Sequence, residues 1–174
     1  MPTSSTKGSQ PSATSSMFPL KFYQHAFDAH CYNTIRCKVI YNRFNFSPDH
    51  AETQPSPAPP SPDYRQHWSY ASYAGIANFP PPAEVQWTSL DGVTHEAKVD
   101  IGAIFKDGRV LYHVPDAEIP DKSWTEEPGI FLEVNDRTIN VYMQAVIATK
   151  TEQIPGNKYS HRRDDVILAW SHTY

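Results

Sequence analysis

The chain has 174 residues, enough for one domain with tails, and its 15 Lys and Arg against 19 Asp and Glu leave a net charge of −4. That balance argues against general nucleic-acid affinity, which needs cations to replace phosphate counterions. No apolar run approaches the ~20 residues that span a bilayer, and the low hydrophobic share of 39% predicts that part of the chain lies outside a core.

Residues 1–17, "MPTSSTKGSQPSATSSM", have little to bury and read as a flexible Ser/Thr-rich tether. They contain no apolar signal-peptide core, so either the protein stays where it is made or a signal was removed; such a tether is what remains when an exported protein or lipoprotein is trimmed, and many cytosolic proteins carry polar tails as well. Residues 18–174 read as a single domain. "FPLKFYQHAFD" and "TIRCKVIYNRFNF" alternate apolar with polar residues and are rich in aromatic and β-branched types, so both are predicted strands. Between them stand Cys31 and Cys37. On a continuous strand they would be roughly 20 Å apart, so a bond between them requires a turn inside "CYNTIRC", for which Asn33 and Thr34 are candidates. A disulfide and two free thiols both fit the sequence. The segment 47–63, "SPDHAETQPSPAPPSPD", is too rich in proline for a helix or an inner strand and is predicted to be a long exposed loop. A small helix fits near "SPDYRQHWSYASY".

In "AEVQWTSLDGVTHEAKVDI", Ala83, Val85 and Trp87 share one face, as do Val93, His95, Ala97, Val99 and Ile101. A two-residue turn at Asp91-Gly92 would set Val85 against Lys98. A three-residue loop, Leu90-Asp91-Gly92, sets Val85 against Ala97 and Trp87 against His95 and keeps the apolar faces together, with Gly92 at positive φ. Downstream, a two-residue turn at Asn135-Asp136 would pair Leu132 with Ile139 and Ile130 with Val141. "DDVILAWS" reads as a last strand. Short strands, frequent turns and little helical periodicity predict an all-β antiparallel sandwich of about seven to nine strands with long loops. Its expected core is Val85, Trp87, Val99, Ile101, Leu132, Ile139, Val141, Met143, Ile147, Ile167 and Trp170.

Between two of these strands lies "PDAEIPDKSWTEEPG". Asp116, Glu118, Asp121, Glu126 and Glu127 face the single cation Lys122, a local charge of −4 around Trp124. Exposed charged loops often do no more than solvate a surface. "HWSYASYAGIANF" places Trp68, Tyr70 and Tyr73 close together, as core packing of the sandwich, a protein interface or a sugar-stacking platform, with core packing favoured for any single one; the basic pair Arg162-Arg163 is a further contact candidate. The eight histidines have no familiar metal-ligand spacing, and His95 reads as a packed residue opposite Trp87. No nucleophile elbow or phosphate-cradling glycine loop is present, so neither a catalytic set nor a cofactor or metal site is predicted. A hydrolase whose carboxylates are gathered by the fold stays open.

At "SYAGIANFPPPAEVQWTSLDGVTHEAKVDI" and "INVYMQAVIATKTEQIPGNKYSHRRDDVILAWSHTY" the chain resembles the small bacterial periplasmic immunity proteins, often lipoproteins, that are paired with type VI secretion lipase and phospholipase effectors. The resemblance implies a non-enzymatic protein that binds one toxic enzyme, with a phospholipase D-type effector favoured. By occluding that enzyme's active site it would protect the producing cell. It also implies a periplasmic location, with membrane contact only through a lipidated N-terminus. The interface expected from it is Asp116, Glu118, Asp121, Trp124, Glu126 and Glu127, with Trp68, Tyr70 and Tyr73. The alternative function is a carbohydrate-binding β-sandwich module.

Overall fold

The computed structural model describes residues 17–123 and 125–174; the predicted tether, apart from Met17, and Trp124 lie outside the described residues. Met17 itself packs partly against the core and so belongs to the domain. The strands are β1 (Gln24–Tyr32), β2 (Thr34–Tyr41), β3 (Phe44–Asn45), β4 (Tyr73–Ala77), β5 (Ala83–Ser89), β6 (Thr94–Val99), β7 (Gly129–Asn135), β8 (Thr138–Gln144), β9 (Ile147–Ala148), β10 (Arg162–Arg163) and β11 (Val166–Thr173). Nine of them form two sheets, ordered β11-β8-β7-β1-β4 and β3-β2-β5-β6, and β9 and β10 make a separate ribbon. The expected all-β sandwich is therefore observed. Its antiparallel character has one exception: β1 lies parallel to β7, because the long excursion from residue 33 to residue 128 brings the chain back in the same direction.

The core between the sheets is built from the inward positions of the long strands, among them Phe27, Val39, Val85, Trp87, Leu132, Val141 and Met143. Each such fully buried side chain stabilises the fold by about 1.5–3 kcal/mol. Two expected core positions differ. Ile167 and Trp170 are only half-buried, because β11 is the edge of its sheet. Ile101 is buried but opens a single helical turn, Ile101–Ile104, where the Asp100 side chain accepts from Ala103 N and breaks the strand pattern.

The β5–β6 hairpin has the predicted register, Val85 opposite Ala97 and Trp87 opposite His95, with Gly92 at φ +82°. The β7–β8 hairpin does not. Leu132 pairs with Val141 and Ile130 with Met143, so the turn falls at Asp136-Arg137, one residue later than expected. Both registers put the same faces inward, so hydrophobic pattern does not separate them. Tertiary bonds do: Asp136 Oδ1 accepts from Leu90 N, its carbonyl accepts from Trp87 Nε1, and Arg137 bonds Asp91 and the Tyr174 carbonyl.

Asn33, at φ 52°, turns the chain between β1 and β2, and Cys31 and Cys37 are disulfide-bonded with their Cα atoms 6.4 Å apart. The bond ties one sheet to the other. The proline-rich segment is a strap rather than a free loop: Ser56 N bonds Thr34 O, Asn33 N bonds Pro57 O, and Ala51 is buried. It leads into a 3-10 turn at Tyr64–His67 that lies over the outer face of β7 and β8.

Candidate functional site

The acidic segment occupies one end of the sandwich. Val114 and Ile119 sink into the core and anchor it, and a 3-10 turn spans Asp116–Glu118. Tyr112 OH donates to Asp116 Oδ1 at 2.6 Å; burial first and that carboxylate second push the phenol up to about 12. Glu127 Oε1 accepts from Gly75 N at 2.7 Å and pins the segment to β4. Asp116, Asp121 and Glu126 remain exposed, and none of the three forms an ion pair among the described residues. The segment is thus fixed at both ends, with three carboxylates, Asp116, Asp121 and Glu126, turned to solvent.

Beside it stands a hairpin that sequence reasoning did not single out. β9 and β10 form its stem and residues 149–161 its loop. The loop is bonded to itself: Gln153 N to Ser160 O, Gly156 N to Glu152 Oε2, Tyr159 N to Asn157 Oδ1, and Ser160 Oγ to the Ile154 and Asn157 carbonyls. So ordered a loop nevertheless leaves Ile154 59% and Tyr159 80% exposed. Lys150 N donates to Glu118 O at 2.7 Å, which joins the hairpin to the acidic segment. "IPGN", with its turn residues, was the available sequence signal for this loop.

On the outer face of the larger sheet a groove of about 900 Å³ runs between the 3-10 turn and the start of β11. Two of its lining residues, Arg65 and Tyr142, belong to a buried polar cluster centred on Glu133. Glu133, 0% exposed, accepts from the Tyr64 hydroxyl, Arg65 Nη2 (3.1 Å), Asn140 Nδ2 (2.9 Å) and the Tyr142 hydroxyl (3.4 Å). Burial, reinforced by Glu133, raises the pKa of both phenols well above its usual value, so both stay protonated. The Arg65 guanidinium lies over the Tyr64 and Tyr142 rings, 4.4 and 4.9 Å from their centroids. At the groove's far end Tyr70 OH donates to Asp164 Oδ2 at 2.5 Å.

The three aromatics expected to act together are separated. Trp68 stacks on His30 at 4.3 Å and donates to Tyr32 OH, so one ring face is already covered. Tyr70 lines the groove, whereas Tyr73 packs against Phe44 and Phe46 over a different depression. Arg162 is exposed on the hairpin stem, and Arg163 pairs with Asp165 at 2.9 Å. His95 stacks on Trp87, as expected, and bonds Ser89 Oγ. No group of three or more His, Cys, Asp or Glu side chains among the described residues is arranged to hold a metal ion.

No family model matches the chain, no curated protein is detectably similar to it, and no solved structure matches its fold. The disulfide is compatible with an oxidising, extracytoplasmic compartment, and no helix among the described residues is long and apolar enough to cross a membrane.

Proposed function

We propose that the chain is a non-catalytic inhibitor: a periplasmic immunity protein that binds one cognate type VI secretion phospholipase or lipase effector and occludes its active site. The observation that carries this reading is the preorganised end of the sandwich. There a pinned acidic segment and a self-bonded hairpin are hydrogen-bonded to each other and present Asp116, Asp121, Glu126, Ile154 and Tyr159 to solvent.

An enzyme that draws in an anionic phosphodiester needs a cationic mouth. Exposed carboxylates on a rigid protrusion complement such a mouth, speed encounter by steering and compete with the substrate phosphate. Tyr159, projecting from a loop that has already lost its freedom, suits an anchor residue, since little further entropy is lost when it is buried. Each carboxylate lining the groove bonds a neighbouring side chain, Asp63 with His67, Asp164 with Tyr70 and Asp165 with Arg163, and only the last is an ion pair with a permanent cation.

The test is to express the chain with the lipolytic enzyme encoded beside it, isolate the complex and follow hydrolysis of phospholipid vesicles. One equivalent of this protein should abolish hydrolysis. Undiminished turnover in the presence of excess protein, or no complex, refutes the reading.

A further inference from the structure

We propose that the groove on the outer sheet face is a second contact site, which receives a basic segment of the protein partner and draws one of its Arg or Lys side chains to Asp164 and Gln144. The proposal rests on the reading of the chain as a protein-binding inhibitor and gives that partner a chemical requirement.

The first argument is charge. Asp63, Asp164 and Asp165 line the groove against Arg65 alone. Arg65 is committed to Glu133, and Arg163 is committed to Asp165. Near Tyr70, Glu126 and Arg162 act in opposite senses. The uncompensated carboxylates are then Asp164 and Asp63, the latter facing only a histidine. An anionic ligand is therefore disfavoured and a cation favoured.

An unpaired amide oxygen favours a donor as well. Gln144, 8% exposed, lines the groove, and its Nε2 donates to the Asp164 carbonyl at 3.3 Å while its buried Oε1 has no partner among the described residues. A buried acceptor left without a donor is destabilising; Oε1 is closed off from solvent where it lies, so a turn of the Gln144 side chain toward the groove brings it to a ligand N–H and recovers that loss. A guanidinium or ammonium offers donors only, which suits an amide oxygen and a carboxylate standing together. Tyr70, fixed by its bond to Asp164, adds an aromatic wall beside the cation. The volume of about 900 Å³ exceeds one side chain and suits several residues of extended chain lying beside the edge strand β11, whose Val166 and Leu168 supply apolar contact.

A short blocked peptide with two arginines between apolar residues tests this, against the same peptide with citrulline, which keeps the shape and loses the charge. The readout is ¹H–¹⁵N chemical shift of the Trp68 indole and the Gln144 side-chain amide in the intact protein. Saturable binding of the arginine peptide is expected, weakened about tenfold or more in Asp164→Asn and in Gln144→Met. Equal binding of the citrulline peptide, no binding of either, unchanged affinity in both variants, or selective binding of a neutral oligosaccharide overturns the proposal. Peptide binding without inhibition of the enzyme would keep the groove and discard the inhibitor reading. Full inhibition and affinity in the Asp164→Asn/Gln144→Met double variant would keep the inhibitor and discard the groove.

Discussion

Glu133→Gln is the perturbation whose cost follows most directly from the geometry. The side chain is fully buried, and four donors converge on its two oxygens: Tyr64, Arg65, Asn140 and Tyr142. The amide keeps the shape but removes the charge-assisted bond to Arg65, worth about 1.5–3 kcal/mol, and turns an N–H₂ toward groups that already donate. Breaking one side of a buried pair costs about 3–5 kcal/mol. The Arg65 side chain is 34% exposed and recovers part of this by hydration, so a loss of about 3 kcal/mol is expected. With an m-value of roughly 2 kcal/mol/M the urea midpoint falls by about 1.5 M. Arg65→Met, which leaves the carboxylate unpaired, should also destabilise, and the double variant should recover about 1–3 kcal/mol of the sum. A loss below about 1 kcal/mol, or strict additivity in the cycle, would refute the view that this cluster clamps the 3-10 turn onto the sheet.

Three further outcomes are expected. Replacing Cys31 and Cys37 by Ala opens a loop of sequence separation 6, so the stability loss should be modest, about 2 kcal/mol, with the fold retained. Burial lowers the pKa of His25 and His30 from 6.5 despite the opposing bond to Asn78 and nearby carboxylates. Below about pH 6.5 the unfolded chain then binds protons that the folded chain refuses; urea denaturation should show stability falling with acidity by up to ~1.4 kcal/mol per pH unit for each group, and His30→Phe should flatten the slope. Gly92→Ala adds a Cβ that meets nothing within 4 Å, so its cost is confined to the backbone at φ +82° and should be roughly 1 kcal/mol in thermal denaturation.

The residues 83–99 hairpin was legible because only one loop length kept Val85 and Trp87 on the buried side. The β7–β8 hairpin was not, because a slip of two positions leaves Leu132 facing the core, and the choice between registers was made by distant Leu90, Trp87 and Tyr174. The parallel pairing of β1 with β7 has no local signal. Glu133 lies on the face of β7 away from the core, and the fold covers that face with Tyr64 and Arg65 from the strap. The acidic segment could be read as a charge run; its pinning by Tyr112 and Gly75, and the hairpin beside it, needed coordinates. The groove was illegible for the same reason, since Trp68, Gln144 and Asp164 come from three separate stretches of chain.

The central claim is that the acidic end of the sandwich meets the partner. Stopped-flow association with the lipolytic enzyme, run across a range of salt concentrations for the native chain and for Asp116→Lys/Asp121→Lys/Glu126→Lys, tests it most directly. At low ionic strength the triple variant should associate about tenfold or more slowly, and the difference should shrink as salt screens the charges. Identical rates and identical salt dependence for the two proteins would contradict the account.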